Sequence, residues 1–309
     1  MSFRLLSQSI TIIIVFICSI FTVLAAPIPR IAVSIKPLHS LVSAVIGDLG
    51  TADLIVKGAG SEHSYTLKPS DAEILSKADV IFIANPDMER FLQKPIASLN
   101  AQNRLFALSE APKIKLLPIR EGGHFESHQH GKHESHHATD FHFWLDPDNA
   151  QKVVLYIADI LSQKDSEHAT IYQANALEYN TKLKNLKTEL NLRLEAVRDK
   201  NFIVFHDAFQ YFEKSFHLHA VGAVALDPER QPGAKRINTI RNIILKDNVV
   251  CIFSEPQFPN KLLNIVTENT SAQQGILDPL GMSVKEGSAL YPQMMRALSQ
   301  NIVDCLSKA

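Results

Sequence analysis

Histidines are concentrated in one stretch of this sequence, residues 121–147, which holds seven of the thirteen in the chain. Six of them lie in residues 122–140, a segment rich in glycine, serine and charge with Phe125 as an isolated aromatic side chain. Such a segment buries too little apolar surface to offset the entropy of ordering it, so we predict a mobile loop. Because neutral imidazole is the commonest protein ligand for transition metals, metal binding is the first chemistry to consider.

The seventh histidine, His142, belongs to a short apolar stretch, residues 141–147, with the composition of a strand. If the stretch is extended, His142 and Trp144 share one face, and three apolar side chains share the other: Phe141, Phe143 and Leu145. This pattern predicts that His142 lies on a packed element, directly beside six histidines that do not. The working hypothesis is a protein that binds zinc.

Further candidate ligands follow predicted strands in both halves of the chain. The strand at 51–56 precedes Glu62 and His63, the strand at 202–205 precedes His206, and the strand at 275–277 precedes Asp278. In open parallel sheets, ligands bind beyond the carboxyl ends of the strands. Three imidazoles, with His142 as the third, and one carboxylate could therefore close a four-coordinate site between two lobes.

The same residues also have simpler interpretations. A single histidine at a strand end is more often a satisfied polar group than a ligand, and the shared placement of all three is what favours a metal site. Glu255 also follows a predicted strand, and its role could be structural as easily as functional. His217 and His219 alternate with apolar residues, which predicts that they occupy the solvated face of a strand.

Strands and helices alternate along both halves of the chain. The first half has strands predicted at 30–35, 51–56, 79–84 and 105–108, with helices at 36–46, 69–77 and 86–99. The second half has strands predicted at 202–205, 220–226, 249–253 and 275–277, with helices at 233–246, 260–270 and 291–307. Such alternation predicts parallel sheets covered by helices.

A long helix is predicted between the two halves. Residues 168–200 contain no glycine or proline, and five apolar residues follow helical spacing: Leu183, Leu186, Leu190, Leu194 and Val197. At about 1.5 Å per residue this helix would be roughly 45 to 50 Å long and would run along both lobes. A coiled coil is a weaker interpretation, because the apolar stripe lasts barely two heptads.

The predicted fold class is α/β, with two lobes that are each a parallel sheet flanked by helices and that a helix joins. We place the first lobe at 26–165, including the histidine-rich loop at 122–140, the linking helix at 166–200 and the second lobe at 201–309. A mature chain of about 280 residues exceeds the usual size of one domain and suits two lobes of about 100 to 150 residues each.

The N-terminus predicts export. Residues 1–25 combine a positive start at Arg4, an apolar core and a small-residue end, which is the pattern of a cleaved signal peptide. A transmembrane anchor would need about 20 apolar residues, more than this core offers. Two cysteines then remain, Cys251 and Cys305. In an oxidising compartment an even count predicts a disulfide, with two buried free thiols as the alternative.

Motifs along the whole predicted mature chain resemble those of one family. They are residues 63–71 (HSYTLKPSD), 78–79 (AD), 86–89 (PDME), 142–147 (HFWLDP), 205–214 (FHDAFQYFEK), 231–234 (QPGA), 251–258 (CIFSEPQF) and 277–281 (LDPLG). The family is that of ZnuA, the periplasmic zinc-binding components of bacterial ABC importers, within the cluster A-I solute-binding proteins. The histidine-rich insert just before His142 resembles that of zinc members and not of manganese members.

The resemblance implies a fold, a site and a partner. The fold would be two lobes joined by one long rigid helix, with a tight zinc site built on His63, His142 and His206. Members of the family differ in the fourth ligand, so Glu62, Asp278 and water are the alternatives here. The family's disulfide between a second-lobe strand and the C-terminal helix maps onto Cys251 and Cys305. The bound ion would pass to a membrane permease.

The sequence favours a non-catalytic receptor over two other functions. The main hypothesis is a monomeric periplasmic receptor that binds Zn²⁺ and delivers it to the permease of an ABC importer. A zinc hydrolase would need an open coordination position with a general base beside it. A zinc buffer or chaperone acting through the loop alone would not need a packed two-lobed body. The net charge of −1, with both signs interspersed, gives no electrostatic footprint for nucleic acid.

The histidine-rich loop is predicted to be an auxiliary, weaker zinc site. Its six histidines have short and irregular spacings: His124, His128, His130, His133, His136 and His137. Such spacings suit a flexible chelate and not a preformed tetrahedron. A chelate that must be ordered at each binding event binds more weakly than a rigid cleft. An inert low-complexity insert is the alternative.

Overall fold

The computed structural model of this chain describes residues 27–58, 60–120, 123–125, 138–225, 228, 231–258 and 261–308. The predicted signal peptide at 1–25 lies outside these residues, as do five histidines of the predicted loop: His128, His130, His133, His136 and His137. Among the helices within the described ranges, none combines the length and the apolar character needed to cross a membrane.

Four short parallel strands form the sheet of the first lobe. In chain order they are β1 (Ile31–Val33), β2 (Asp53–Leu54), β3 (Val80–Ile83) and β4 (Leu105–Ala107). Across the sheet their order is β2-β1-β3-β4, and all pairs are parallel. Every residue of β1 and β3 is buried, as expected for a parallel sheet that is covered on both faces. The carboxyl ends of these strands therefore open on one edge.

Three helices flank this sheet: α1 (Lys36–Ile46), α2 (Pro69–Lys77) and α3 (Gln93–Ser98). Both α1 and α2 have a proline in the first turn, where a backbone N–H would have no partner within the helix. At the start of α2 the Asp71 carboxylate accepts a hydrogen bond from Lys68 N at 2.9 Å. This bond fixes the end of the loop that begins after β2.

A two-stranded antiparallel ribbon, β5 (Leu117–Pro118) and β6 (Thr139–Asp140), brackets the histidine-rich segment. One residue further into that segment, Ile119 N donates a hydrogen bond to Ala138 O at 2.8 Å. The two ends of the segment are therefore held together by backbone hydrogen bonds that do not involve its histidines.

The strand predicted at 141–147 is wrong. After β6 the chain forms a 3₁₀ turn at Phe143–Leu145, with His142 at its start in a non-extended conformation, φ −79° and ψ 31°. All three residues of the turn are fully buried, so the segment has no solvated face to impose alternation. The turn is also favoured locally, because Asp140 Oδ1 accepts a hydrogen bond from His142 N at 2.9 Å.

Two long helices follow this turn, α4 (Pro147–Lys164) and α5 (Ala169–Leu194). Short 3₁₀ turns at Ser166–His168 and Glu195–Val197 extend α5 at both ends. The α-helical part has 26 residues and is about 39 Å long at about 1.5 Å per residue. The predicted apolar stripe is buried along its whole length: Leu183, Leu186, Leu190, Leu194 and Val197.

The second lobe repeats the architecture of the first. Its four parallel strands are β7 (Phe202–Val204), β8 (Ala220–Ala223), β9 (Cys251–Ser254) and β10 (Gln273–Ile276), in the order β10-β9-β7-β8. Its helices are α6 (Gln210–Phe216), α7 (Ala234–Lys246), α8 (Lys261–Thr267) and α9 (Leu290–Leu306). Helix α5 packs against α1 and α4 on one side and α9 on the other. The predicted fold class, two α/β lobes joined by a long helix, is confirmed.

The strand face predicted for His217 and His219 is wrong. Helix α6 extends to Phe216, and His217 ends it in a left-handed conformation with φ 58°. Leu218 N then donates a hydrogen bond to Glu213 O at 2.9 Å, which satisfies one of the last carbonyls of the helix. Both histidines are nevertheless exposed, as predicted.

A disulfide joins Cys251 in β9 to Cys305 in α9, with a Cα–Cα distance of 6.1 Å. This is the pairing that the sequence and the resemblance predict. Both cysteines are buried, so the bond attaches the last helix to the middle of the second sheet from within the core.

One cluster of buried apolar side chains extends through both lobes. Trp144 of the first lobe and Tyr291 of the second lie in this cluster, and their hydrogen bonds join the two lobes. Trp144 Nε1 donates to Pro279 O of the second lobe at 3.0 Å, and Tyr291 Oη donates to Trp144 O at 2.7 Å. The turn that follows His142, in the first lobe, is therefore held by two hydrogen bonds to the second lobe.

Candidate metal centre

Four of the predicted site residues, Glu62, His63, His142 and His206, meet at the junction of the lobes. Each offers one ligand atom, and these atoms all lie within 4.8 Å of one another. Glu62 Oε1 is 3.8 Å from His63 Nε2 and 3.6 Å from His142 Nε2. The Nε2 atoms of His142 and His206 are 3.4 Å apart. These distances are close to the ligand separation of about 3.4 Å in a tetrahedron with bonds of about 2.1 Å.

Three different elements deliver these side chains. Glu62 and His63 lie on the loop after β2, where Ser61 Oγ accepts a hydrogen bond from His63 N at 3.2 Å. His142 begins the 3₁₀ turn after β6, and His206 follows β7. The first lobe thus contributes three of the four groups and the second lobe one. This is the arrangement predicted from candidates placed at the carboxyl ends of strands.

Two carboxylates behind the centre orient the imidazoles of His142 and His206. His142 Nδ1 is 2.8 Å from Asp140 Oδ1, and His206 Nδ1 is 2.6 Å from Glu255 Oε1. In each pair the Nδ1–H donates to the carboxylate, which leaves Nε2 as the nitrogen whose lone pair faces the other candidate ligands. Such carboxylate–histidine pairs are usual around metal sites, where they fix the tautomer and raise the basicity of the ligand.

Sequence reasoning missed Asp140 and left the role of Glu255 undecided. Each carboxylate also accepts a hydrogen bond from the backbone N of its histidine, at 2.9 Å for Asp140 and 3.2 Å for Glu255. Each therefore fixes the backbone and the ring of one candidate ligand together. Two features of the sequence could have revealed these carboxylates. Asp140 lies two positions before His142, and Glu255 follows β9, the strand next to β7.

Glu62 and His142 shift each other's pKa in the absence of a metal. Glu62 is 2% exposed. Burial favours its neutral form, but the imidazoles of His142, His63 and His206 outweigh burial and lower the pKa of Glu62. Burial also acts to lower the pKa of His142, but the carboxylates of Asp140 and Glu62 outweigh it and raise that pKa. The metal-free centre therefore holds an ionised carboxylate beside a protonated imidazole.

The donor set fits zinc. Glu62 Oε1 is buried and accepts no hydrogen bond from the part of the chain that the structure describes. A buried oxygen of this kind is unfavourable unless it is paired, and a cation held between it and three imidazoles would pair it. Three nitrogens and one oxygen in a compact group are a usual tetrahedral zinc site. His63 is the most exposed of the four and lines a cavity of about 530 Å³ with His142 and His206.

Asp278 lies elsewhere. Its carboxylate accepts hydrogen bonds from Leu280 N at 3.1 Å, from Met282 N at 2.6 Å and from the Gln257 side chain at 3.3 Å. It caps the loop after β10, and burial raises its pKa. Of the two carboxylates that the sequence offered as a fourth ligand, the structure brings Glu62, and not Asp278, to the three histidines.

Of the six histidines in the predicted auxiliary loop, His124 falls within the described residues. It lies apart from the four candidate ligands. Its Nε2 is 3.6 Å from Asp247 Oδ2 at the end of α7, and its backbone oxygen accepts a hydrogen bond from Arg236 at 2.5 Å. A Cβ at Gly222 would lie 3.1 Å from the His124 side chain, so glycine leaves room for this contact. The start of the histidine-rich segment thus rests on the second lobe.

A group of four candidate metal ligands between two α/β lobes, with one long helix joining the lobes, is the arrangement of two-lobed solute-binding proteins for metal ions. The family model for the periplasmic zinc-uptake complex component A, ZnuA, matches residues 31–305 of this sequence. The chain belongs to the ZnuA family.

Individual relatives are similar in sequence to this chain over nearly their whole length. The high-affinity zinc uptake system protein ZnuA of Brucella suis is 46% identical over 306 residues, which covers 90% of this chain and 92% of the relative. The protein of the same name from Yersinia pestis is 32% identical over 289 residues, which covers 89% of this chain and 91% of the relative. A crystal structure of ZnuA has the same fold, with a TM-score of 0.76 at 24% identity over 90% of this chain and 99% of that one.

Proposed function

We propose that this protein captures Zn²⁺ in the periplasm and delivers it to the permease of an ABC importer. The observation that carries the proposal is the convergence of Glu62, His63, His142 and His206 between the lobes, with one ligand atom of each within 4.8 Å of the others. The names of its relatives, which describe high-affinity zinc uptake, and the periplasmic description of the family support the same conclusion.

The organisation of the chain fits this role. A signal peptide at 1–25 would direct export and be removed. The mature protein would act as a monomer, with lobes at 26–165 and 201–309 around a linking helix at 166–200. In this proposal the transported ion is the substrate, and the permease is the macromolecular partner.

Each residue of the centre has a defined part in holding the ion. Three ligands come from the first lobe, Glu62, His63 and His142, and His206 closes the coordination from the second. The proton that His142 carries in the metal-free protein leaves when the ion binds, because only the neutral ring has a free lone pair. Asp140 and Glu255 keep the Nδ1 protons and so hold each Nε2 toward the ion.

Four converging protein ligands favour binding over catalysis. A catalytic zinc keeps one position open for water, with a general base beside it. Here two additional carboxylates beside the centre, Asp140 and Glu255, are engaged by imidazoles. Residues 133–137 read HESHH, a literal match to the hydrolase pattern H-E-x-x-H. That pattern acts from a helix, and the surrounding glycine, serine and histidine do not predict one.

Native mass spectrometry with elemental analysis tests the proposal. The protein should be purified without added metal and dialysed against a weak chelator that removes zinc from the histidine-rich loop. We expect one tightly held zinc ion per chain and no ester or peptide hydrolysis above the rate of buffer. Absence of zinc, or another metal in its place, would contradict the receptor. Hydrolysis that disappears in a His206→Ala variant would favour the enzyme.

A further inference from the structure

A buried cluster of charges joins the two lobes close to the metal centre. Arg120, just after β5, extends its guanidinium to Asp207 and Glu213 of the second lobe. Its Nε is 3.0 and 2.9 Å from the two oxygens of Asp207, and Nη1 and Nη2 are each 2.8 Å from an oxygen of Glu213. Nη2 also donates to Asp207 Oδ1. The Arg120 side chain is only 19% exposed, so these are charge-assisted hydrogen bonds in a largely dry environment.

The neighbours of Arg120 connect it to both histidine-bearing parts of the molecule. Asp207 directly follows His206, and Glu213 lies on α6, the next helix. On the other side, the Phe125 ring centroid lies 4.0 Å from the guanidinium carbon, which is a cation–π contact. Arg120 therefore touches the residue beside one candidate ligand and the first residues of the histidine-rich segment.

The composition of the centre makes the position of the second lobe critical. The second lobe supplies only His206, whereas the first supplies three groups: Glu62, His63 and His142. Glu255 orients His206 within its own lobe, but that bond cannot set the distance to the other ligands. Tyr211 and Gln210 also bind the β5–β6 ribbon. Tyr211 Oη donates to Asp140 O and accepts from Leu117 N, and Gln210 Nε2 donates to Pro118 O and to the Asp140 carboxylate at 3.4 Å. Both residues lie on α6, however, and not next to His206.

We propose that Arg120 is a positioning residue for zinc binding, which holds Asp207 against the first lobe and thereby keeps His206 at bonding distance from the other three ligands. The proposal rests on the proposed function, in which His206 binds zinc. Without the forked contact of Arg120, His206 would move relative to the other ligands. The three first-lobe ligands would still receive the ion, so the loss should appear mainly as faster release.

Arg120 remains protonated although it is largely buried. Burial by itself lowers the pKa of the guanidinium, but Asp207 and Glu213 outweigh burial and raise it. The cation is therefore present at every physiological pH. The charge of Arg120 should therefore not change in the range where the histidines titrate.

The test compares zinc release from the mature protein and from Arg120→Lys, His206→Ala and Arg30→Lys variants. Lysine keeps the charge of Arg120 but cannot make its bidentate bonds. Arg30 is the matched control, because its guanidinium also pairs with both oxygens of an aspartate, Asp79, at the amino end of β1. A chromophoric chelator follows zinc release. The visible absorption of bound Co²⁺ reports four-coordination, and thermal unfolding of the metal-free proteins reports structural damage.

We expect Arg120→Lys to weaken zinc binding about 10- to 100-fold, the usual effect of losing a group that orients a metal ligand. Its Co²⁺ absorption should fall toward that of His206→Ala, while its metal-free form stays folded at the temperature of the assay. A parent-like release rate and Co²⁺ spectrum would overturn the proposal. A lowered melting temperature with unchanged zinc binding would also overturn it, because Arg120 would then be merely structural.

Three further outcomes distinguish failure of the positioning role from failure of the ligand set. If Arg120→Lys does not fold, Asp207→Asn replaces it with the same expectations, since it weakens the same contact and leaves Arg120 paired with Glu213. If His206→Ala binds zinc as tightly as the parent, the ligand set of the proposed function is wrong, and the positioning role falls with it. If only His206→Ala loses zinc, the ligand set stands and the role of Arg120 alone is rejected.

Discussion

At the scale of single residues, two of the three imidazoles in the centre have a second nitrogen that is already committed. Asp140 and Glu255 accept the Nδ1 protons of His142 and His206, so neither ring can turn its other nitrogen toward the ion. An arriving ion therefore meets Nε2 atoms that are already in place, and only the extra proton of His142 has to leave, which reduces the ordering needed on binding. Zinc affinity should consequently depend on these carboxylates as well as on the ligands.

Replacing His206 by alanine should abolish tight zinc binding and leave the fold intact, because the side chain lies beyond the end of β7 and lines a cavity. Competition against a chelator of known affinity measures the loss, and circular dichroism checks the fold. His217→Ala is the matched control, since His217 is exposed at the end of α6. A His206→Ala protein with parental affinity would exclude a site shared by the two lobes.

Zinc affinity should fall as the pH is lowered. Each histidine must lose its proton to bind zinc, and the ordinary pKa of histidine is about 6.5. In the metal-free protein the carboxylates of Asp140 and Glu62 outweigh burial and raise the pKa of His142, so a proton competes with zinc above that value as well. Affinity should therefore still be rising between about pH 7 and about pH 8.

Isothermal titration in buffers of different ionisation enthalpy measures both the affinity and the number of protons released. His217→Ala again serves as the control, because an exposed histidine outside the centre should not alter the proton count. An affinity that is constant between about pH 5 and about pH 7.5 would mean that carboxylates dominate the binding of zinc.

At the scale of elements, most of the sheets could be predicted and the turn at His142 could not. Strands such as β3 and β9 are short buried apolar runs between helices, a pattern that local sequence carries. Residues 141–147 are as apolar, but part of their burial comes from the second lobe, through contacts such as Trp144 Nε1 to Pro279 O. A contact between residues so far apart in the chain produces no local hydrophobic periodicity from which the turn could be predicted.

The same distinction applies to the centre. His63 and His206 could be predicted, because each follows a strand and the ends of parallel strands share one edge. Glu62 could be chosen over Asp278 only from the folded chain, since both carboxylates follow strands in the sequence. The hydrogen bonds that commit Asp278 to capping its own loop are visible only in the structure.

Deleting residues 123–137 should leave one tight zinc site unchanged and remove one or more weaker ones. The β5–β6 ribbon and the four candidate ligands all lie outside the deleted segment. The composition of this segment predicts that its histidines become ordered only on binding, so their affinity should be lower than that of the cleft. Calorimetric titration of both proteins counts the sites.

Replacing the histidines of that segment by asparagine, without a change in length, controls for effects of the deletion on the ribbon. The two variants should lose the same weak sites. Loss of the tight site on deletion, or an unchanged total stoichiometry, would show that the loop and the cleft do not divide the binding as proposed.

The disulfide should stabilise the second lobe. Cys251 and Cys305 are 54 residues apart, and loop-closure entropy then predicts a contribution of about 4 kcal/mol at most. Denaturant unfolding of the parent and of a Cys251→Ala, Cys305→Ala double variant measures the difference. Alkylation of the untreated protein followed by mass spectrometry is the accompanying check. Two modified cysteines in that experiment would contradict the bond.

At the scale of the whole molecule, the lobes are joined by buried polar bonds as well as by a shared apolar core. Lys36, at the start of α1, is 8% exposed, and its Nζ donates to Met282 O and Val284 O of the second lobe at 2.8 and 2.7 Å. Tyr291 N donates to Ser40 Oγ across the same junction at 2.9 Å. Large apolar interfaces of this kind restrict the relative motion of domains.

Zinc binding should therefore leave the overall dimensions of the protein nearly unchanged. Hinge closure around a ligand would shorten the molecule, whereas local movement of the loop at 55–68 or of the residues around Asp207 would not. Small-angle X-ray scattering of the zinc-free and zinc-loaded proteins measures the radius of gyration, and amide hydrogen exchange locates the change. A clear decrease in radius on loading would show that the lobes open and close as bodies.

The β5–β6 ribbon also affects how such a protein can evolve. Leu117 and Pro118 pair with Asp140 and Thr139, and Ile119 N donates to Ala138 O, so the segment between them enters and leaves at fixed points. Insertions or deletions between those points should therefore leave the path of the chain at His142 unchanged. Descendants of one ancestor can therefore lengthen, shorten or recompose the histidine tract to suit the zinc supply of a habitat while inheriting the same high-affinity pocket.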